Sequence, residues 1–246
     1  GTWTYRWDAE NRLVEMEPLS TNVGSVRLMF AYDYMSRRAE KSVESWSGSA
    51  WTNSLSVNYL YDGWNLLRED RSDESMPNFY VWGRDLSGTF QGAGGVGGLL
   101  ARVRKGLIAD PLYYAGDANG NVTRLVDGSG DQVGTYAYDP YGNLLAFSGA
   151  AAGGNAFRFS TKYQDVETEL VYYGYRFYSP TLGRWLSRDP LADEAFLKRR
   201  IRGKGWKQQR RIREESRRPV YLFVNNGPVS QFDLRGLLGL TPWDGQ

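Results

Sequence analysis

Any catalysis by this chain would have to use carboxylates, hydroxyls, lysines or arginines, because its 246 residues contain no histidine and no cysteine. Their absence excludes serine–histidine and cysteine–histidine hydrolase sites, thiol nucleophiles, disulfides and nearly all transition-metal sites. Acid–base chemistry then needs two carboxylates that share one proton, so that one acts as base and the other as acid. With 28 Asp and Glu residues in the chain, composition alone does not identify the pair.

The segment Gly92–Gly97 matches the G-x-G-x-x-G pattern of dinucleotide-binding loops. That pattern binds a pyrophosphate only between a strand and the N-terminus of a long helix. Here the following stretch, 99–104, is short, Gly106 interrupts it and Pro111 comes soon after. We therefore predict a glycine-rich turn between hairpins, and we expect neither a cofactor nor a metal in this chain.

The formal net charge of +2 conceals a strongly basic segment. Residues 192–218 contain eleven Lys and Arg residues and four acidic residues, so this segment carries +7 and the rest of the chain −5. Its composition predicts two short helices, separated where Gly203 and Gly205 interrupt the pattern. Two interpretations remain open: a solvated helical excursion between strands, or a weak contact with nucleic acid or another polyanion through the basic side chains and Trp206.

The elements that would position such residues are indicated by a repeated pattern of aromatic residues followed by Asp. It is clearest at Tyr136–Asp139 and recurs at Tyr5–Asp8, Tyr32–Asp33 and Tyr59–Asp62. Alternate side chains of a strand share a face, and Asp followed by Asn or Gly ends a strand in a tight turn. Because a single hairpin is marginal in water, the repeats must lie side by side. We therefore predict an all-β fold, an extended curved sheet of antiparallel hairpins with helix largely confined to 192–218; an ordinary β-sandwich is the alternative.

The chain has no sequence feature that predicts a membrane span. No apolar run approaches the roughly 20 residues that a spanning helix needs. Residues 1–7 have the pattern of a strand and not that of a secretory signal peptide.

The Tyr-Asp repeats, together with two longer segments, resemble the RHS/YD-repeat family. The segments are Trp82–Leu100, which reads WGRDLSGTFQGAGGVGGLL, and Lys162–Pro190, which contains YGYRFYSP and GRWLSRDP. Members of this family wind strips of β-hairpins into a hollow shell around a toxic or effector polypeptide. The resemblance implies a YD-repeat shell segment at 1–148, a core-associated domain at 149–237 and a stub at 238–246. It also implies a bacterial protein, secreted or at the cell surface, whose partners are an enclosed C-terminal polypeptide or other shell segments.

The same resemblance implies an aspartyl protease that cuts its own chain once and has no external substrate. Asp165 and Asp189 match the family's two catalytic carboxylates, and Arg188 is expected beside them to hold one carboxylate ionised. Asp233 and Gly236 match the first and fourth positions of the family's Asp-Pro-x-Gly-Leu cleavage motif.

The bond expected to be cut joins Leu237 to Leu238. Two nearby residues depart from the family pattern. Glu169 stands where Gly is usual and adds a third acid near Asp165, and Leu234 stands where Pro is usual, which removes a fixed φ angle before the cut. Both departures would weaken self-cleavage.

Two other functions are compatible with the composition. A cell-surface adhesion or carbohydrate-binding protein would present a patch of solvent-facing Trp and Tyr side chains. A two-carboxylate glycosidase would hold its carboxylates in an open cleft instead of against its own C-terminal segment.

Overall fold

The computed structural model describes residues 3–105, 109–216, 221–228, 232–233, 236 and 239–240. Twelve strands form one sheet in which they follow one another in chain order. They are β1 (Trp3–Trp7), β2 (Leu13–Pro18), β3 (Val26–Tyr32), β4 (Arg38–Trp46), β5 (Trp51–Asp62), β6 (Asn65–Arg71), β7 (Asn78–Trp82), β8 (Leu99–Lys105), β9 (Ala109–Gly116), β10 (Val122–Asp127), β11 (Gln132–Tyr138) and β12 (Leu144–Ser148). Successive strands from β1 to β9 pair antiparallel, as do β11 and β12. The predicted all-β fold of antiparallel hairpins is confirmed.

Several aspartates that follow the strands close their own hairpin turns. The Asp33 Oδ1 atom accepts hydrogen bonds from the backbone amides of Met35 and Arg37, both at 2.9 Å, and its Oδ2 atom accepts one from Arg37 Nε at 2.7 Å. The same pair of amide bonds occurs at Asp8, Asp117, Asp127 and Asp139. A carboxylate that binds the amides two and four residues ahead fixes the turn locally, which is why Asp recurs at this position.

The aromatic residue that ends a repeat strand binds the preceding hairpin. The hydroxyl of Tyr32 donates to the Leu13 carbonyl at 2.6 Å, and that of Tyr138 donates to the Val122 carbonyl at 2.8 Å. Trp82 does the same through its indole N–H, which donates to a carbonyl at the start of β6 at 2.7 Å. The aspartate thus shapes one hairpin, while the aromatic residue joins it to its neighbour.

The chain divides into two compact units. The first consists of 1–83, 99–114 and 126–131, and the second of 84–98, 115–125 and 132–246. The first unit buries one face of its strands, with Leu28 and Val57 fully enclosed. The boundaries after residues 148 and 237 that the family resemblance implies stay predictions.

The second unit contains two smaller sheets and the helices. Its strands are β13 (Tyr163–Gln164), β14 (Val171–Tyr172), β15 (Phe177–Ser179), β16 (Arg184–Trp185), β17 (Phe232–Asp233) and β18 (Gly239–Leu240). The helices are α1 (Glu194–Ile201) and α2 (Trp206–Glu215), and short 3-10 turns lie at Phe159–Thr161, Pro190–Ala192 and Val224–Asn226. Both α-helices lie in the basic segment on either side of Gly203 and Gly205, as predicted. Neither of these described helices has the length and apolar character needed to cross a membrane.

Candidate functional site

An aromatic core in the second unit holds the turn that carries the site. Tyr178 and Phe223 stack with ring centroids 3.9 Å apart, and Tyr173 meets Trp185 nearly edge-on at 5.1 Å. All four side chains are buried. The turn between β14 and β15 adjoins this core. A hydrogen bond of 3.0 Å from the Tyr173 amide to the Arg176 carbonyl closes the turn. Packing of large rings on both sides fixes where Arg176 emerges.

Arg176 is the charged centre of the site. Its Nη2 atom lies 3.0 Å from Asp189 Oδ2 and 3.8 Å from Asp233 Oδ2, and its guanidinium stacks over the Trp185 ring, 4.1 Å from the centroid. The side chains of Arg176 and Asp233 are both 2% exposed. Burial lowers the pKa of Arg176, whereas Asp189 and Asp233 act in the opposite direction. One buried cation therefore compensates two carboxylates that are far apart in the sequence.

The same arginine holds the backbone just before the expected cleavage bond. Arg176 Nε donates to the Gly236 carbonyl, and the Gly236 amide donates to Asp233 Oδ1 at 2.6 Å. Gly236 has a φ of +75°, and a Cβ atom there would lie 3.1 Å from both the Cβ and the amide nitrogen of Arg176. Glycine is therefore favoured at this position, both by the positive φ and by the close approach of the arginine.

Asp165 lies at the beginning of the turn that joins β13 to β14. It is 1% exposed, its amide donates to the Leu170 carbonyl at 2.9 Å, and its carbonyl accepts from the Glu169 amide at 2.8 Å. Glu169 has a φ of 60°, in the left-handed region that glycine adopts most readily. The family usually has Gly at this position. This chain has Glu there and still adopts the backbone conformation that Gly favours.

The structure brings together some of the residues singled out from the sequence. Asp189, Asp233 and Gly236 meet at Arg176, and Asp189 also accepts a hydrogen bond from the Leu191 amide at 2.8 Å. Arg188, which was expected beside the carboxylates, is exposed, and its role stays a prediction. Leu234, Leu237 and Leu238 lie outside the described residues.

Arg176 is the site residue that sequence reasoning missed. It is an arginine between aromatic residues in the segment YGYRFY, which leads from one buried strand into the next. An isolated cation within a run of core aromatics is the signal that could have identified it, because a buried charge requires a partner of opposite charge.

The glycine-rich segment encloses an internal carboxylate. Asp85 is buried, and its Oδ2 atom accepts hydrogen bonds from the amides of Ala93 at 2.7 Å and Gly95 at 3.1 Å. Its Oδ1 atom accepts from the amide of Ser87 at 3.0 Å and from the Ser87 hydroxyl at 2.6 Å. The amides that a phosphate-binding loop would offer to a ligand are directed here at the protein's own side chain. Within the described part of the chain, no three acidic residues are grouped as a metal site.

Known proteins share this sequence pattern and fold. A family model described as Teneurin YD-shell matches residues 100–229. The tRNA3(Ser)-specific nuclease WapA of Bacillus spizizenii is 30% identical over 199 residues, which cover 77% of this chain and 7% of the nuclease. Toxin subunit YenC1 of Yersinia entomophaga is 44% identical over 85 residues, or 33% of this chain and 9% of the subunit.

The crystal structure of TcdB2-TccC3-TEV shares the fold over 96% of this chain, with a TM-score of 0.64 and 21% identity, and the match covers 10% of the crystallised chain. Each matched region is thus at most 10% of the relative's length. The repeat pattern, the hairpin sheet and a family match over more than half of its residues show that this chain belongs to the YD-shell family of RHS/YD-repeat proteins.

Proposed function

We propose that this chain is part of a shell that encloses a toxic polypeptide, and that it cuts its own backbone between Leu237 and Leu238. The observation that carries the self-cleavage proposal is the contact of Arg176 with Asp189, Asp233 and the Gly236 carbonyl. This contact ties the segment immediately before the bond to one of the two expected catalytic carboxylates.

The proposed reaction is a hydrolysis by two carboxylates. Asp189, ionised beside Arg176, takes a proton from a water molecule, whose oxygen attacks the Leu237 carbonyl carbon. Asp165 acts as the acid and donates a proton to the Leu238 nitrogen as the carbon–nitrogen bond breaks. The products are a new carboxyl group on Leu237 and a new amino group on Leu238. The water oxygen becomes part of the new carboxyl group, and the cut leaves Asp189 protonated and Asp165 ionised, so the protons balance.

Positioning is the main contribution that the fold would make to this reaction. A bond held against its own catalytic groups reacts intramolecularly, with effective concentrations far above those of free reactants. The hydrogen bonds of Gly236 with Arg176 and Asp233 hold the residue that precedes Leu237. A dyad that is poorly tuned for repeated turnover would therefore be sufficient for one cut per molecule.

The enclosed partner is proposed from the relatives. Matches include a tRNA nuclease and toxin subunits, in which the region similar to this chain is a small part of a longer protein. We infer that this chain belongs to a bacterial toxin of the secreted or cell-surface class, and that a polypeptide released by the cut is its cargo.

Intact-mass measurement of the purified chain tests self-cleavage. The parent should accumulate a species ending at Leu237, whereas Asp165→Asn and Asp189→Asn should each stay full-length with an unchanged circular dichroism spectrum. Asp131→Asn is the matched control, because Asp131 is exposed in a hairpin turn of the first unit. Equal cleavage in all four proteins would show that the dyad assignment is wrong.

If the parent protein stays intact, the next variant to test is the double substitution Glu169→Gly and Leu234→Pro. It restores the family pattern at both positions where this chain departs from it. If this variant is cleaved, and if adding Asp189→Asn abolishes the cleavage, the proposed dyad is supported. The two departures then explain why the parent protein stays intact. If the restored variant also stays intact, self-cleavage by these residues is rejected.

Enclosure is tested separately by fusing an unstructured polypeptide after Gln246 of the uncleavable Asp189→Asn variant. Trypsin should digest the fused polypeptide more slowly than the same polypeptide in free form. Equal digestion rates would contradict enclosure by this chain.

A further inference from the structure

The first turn of helix α2 lacks the groups that usually stabilise the start of a helix. Its N-cap residue, Gly205, makes no side-chain cap hydrogen bond, and its first turn contains Lys207 but no acidic residue. Its acids, Glu214 and Glu215, stand at the C-terminal end. Because the N-terminus of a helix is partially positive and the C-terminus partially negative, Lys207 and the two glutamates oppose the helix dipole, whereas Arg213 in the last turn favours it.

Helix α1, in the same basic segment, has a side-chain cap and an acidic residue in its first turn. The Asp193 side chain caps it by accepting from the Phe196 amide at 2.8 Å, and Glu194 in the first turn pairs with Lys198 at 2.8 Å. The charges of α1 are therefore explained by helix stability. In α2, helix stability accounts for the Arg210–Glu214 pair but not for the basic, uncapped first turn.

The surface of α2 combines an exposed aromatic ring with basic side chains. Trp206 is 68% exposed, and it is the one exposed tryptophan in the described part of the chain. It borders a shallow groove of about 480 Å³ whose other lining residues are Gln209, Arg210, Arg213 and Glu214. We call these five residues the α2 groove. An indole ring kept in water costs hydrophobic free energy that a merely solvated helix would avoid.

We propose that the α2 groove binds single-stranded nucleic acid, with a base stacked on Trp206 and phosphates held by Arg210 and Arg213. These three residues are spaced i, i+4 and i+7, so they lie on one side of the helix. The rise of the helix separates the first from the last by about 10 Å, which suits a short run of nucleotides. Stacking on an aromatic ring beside a basic track is the usual way in which proteins hold single strands.

The charges around the groove favour an anionic partner. Arg210 is paired with Glu214 at 2.8 Å, so it is only partly available to a phosphate. Among the described residues, Lys207 and Arg213 form no ion pair. Binding of phosphates would supply the negative charge that these two side chains lack.

A membrane surface fits α2 less well than a nucleic acid does. Helices that lie in a lipid interface need a broad apolar face opposite the charged one. The apolar residues of α2 are Trp206 and Ile212, and Ile212 is already partly buried. Helix α2 thus has one exposed ring and no apolar face. This surface suits the stacking of a base better than insertion into lipid.

Binding to a fluorescein-labelled uridine oligonucleotide, followed by anisotropy with the whole chain, tests the proposal. Trp206→Ala should weaken binding about tenfold, the loss expected for one stacked base. Trp206→Phe, which keeps a ring, should restore most of the affinity. Arg213→Ala should weaken binding and reduce the slope of log K against log salt by about 0.7, the value for one phosphate contact on a single strand.

Two further variants test whether the charge and the position of the groove determine the affinity for the oligonucleotide. Glu214→Gln should tighten binding, because it removes the negative charge from the groove and frees Arg210. Tyr34→Ala should leave it unchanged, because Tyr34 is 93% exposed but lies in the first unit, outside the basic segment. Circular dichroism of each variant confirms that helix content is retained.

Competitors without bases decide between nucleic acid and other partners. Heparin, poly-glutamate and vesicles containing phosphatidylglycerol should each bind more weakly than the oligonucleotide and should be insensitive to Trp206→Ala. Equal affinity for heparin or vesicles, or an oligonucleotide affinity that Trp206→Ala leaves unchanged, would overturn the proposal.

Discussion

The guanidinium of Arg176 lies 3.0 Å from the Asp189 carboxylate, and the two side chains come from different turns of the second unit. Asp189 also caps the 3-10 turn at Pro190–Ala192 by accepting from the Leu191 amide. Through Arg176, that turn is connected to Asp233 and to Gly236. A single buried cation thus joins Asp189, Asp233 and Gly236.

Replacing Arg176 by methionine should strongly destabilise the second unit. The substitution keeps a long side chain over Trp185 but leaves the 2%-exposed carboxylate of Asp233 without its cation. Removing one partner of a buried charge pair costs about 3–5 kcal/mol. Urea-induced unfolding followed by circular dichroism measures the loss.

Arg6→Met is the control for this prediction. Arg6 forms an ion pair with Glu15, but its side chain is 67% exposed. Its loss should cost less than about 1 kcal/mol, because solvent screens exposed pairs. A similar loss of stability in both variants would contradict the central role assigned to Arg176.

Glu169→Gly should raise stability by up to about 1 kcal/mol. Glu169 has a φ of 60°, and a non-glycine residue is strained there. The hydrogen bond from Gln164 Nε2 to the Glu169 carbonyl, 3.0 Å, does not depend on the glutamate side chain. Glu167→Gly in the same turn should instead lower stability by about 0.5–1 kcal/mol through backbone entropy. Thermal melts of both variants check the prediction, and shifts in the same direction would refute it.

Gly142→Ala should cost more than Gly130→Ala, although both glycines occupy the same position of an Asp-closed turn. Their φ angles are +86° and +90°, so alanine is strained at both positions by about 1 kcal/mol. A Cβ atom at Gly142 would lie 2.5 Å from Phe159 Cγ, whereas nothing lies within 4 Å at Gly130. Overpacking against the ring should add about 1–3 kcal/mol. Chemical denaturation of the two variants measures the difference, and equal losses would be evidence against the Phe159 contact.

Stability should fall above about pH 10, where exposed tyrosines ionise. Burial, followed by the nearby Tyr136, raises the pKa of Tyr138 far above its ordinary value of 10.0, and burial also raises the pKa of Tyr173 and Tyr178. Above pH 10 the unfolded chain therefore loses protons that the folded chain keeps. The contribution of each buried tyrosine is complete below pH 10 and decreases by about 1.4 kcal/mol per pH unit above it.

Tyr138→Phe tests the alkaline effect. It should lower stability by about 1 kcal/mol at neutral pH, because the hydrogen bond to the Val122 carbonyl is lost. It should also make the decline above pH 10 less steep. Tyr34→Phe should change neither quantity, since Tyr34 is 93% exposed. Urea unfolding at a series of pH values gives both quantities.

The sequence predicted the hairpins well because their determinants are local. Asp33 and Asp139 bind amides two and four residues away, so the pattern that folds each turn is visible in five consecutive letters. The break between α1 and α2 was predicted for the same reason, since Gly203 and Gly205 interrupt the helix within the segment itself. For the site, family resemblance supplied Asp189, Asp233 and Gly236, whereas their connection through Arg176 was not predicted.

By itself, the sequence determined the all-β class, the hairpin repeat, the presence of helices in the basic segment and the exclusion of histidine and cysteine chemistry. Each of these depends on composition or on neighbours within a few residues. Only the tertiary structure decided that Arg176, one of 30 basic residues, is buried between Asp189 and Asp233 and holds Gly236. It likewise decided that the amides of the glycine-rich segment bind Asp85. A buried charge is stable only beside its counter-charge, and which residues become neighbours is set by the packing of the whole unit and not by local spacing.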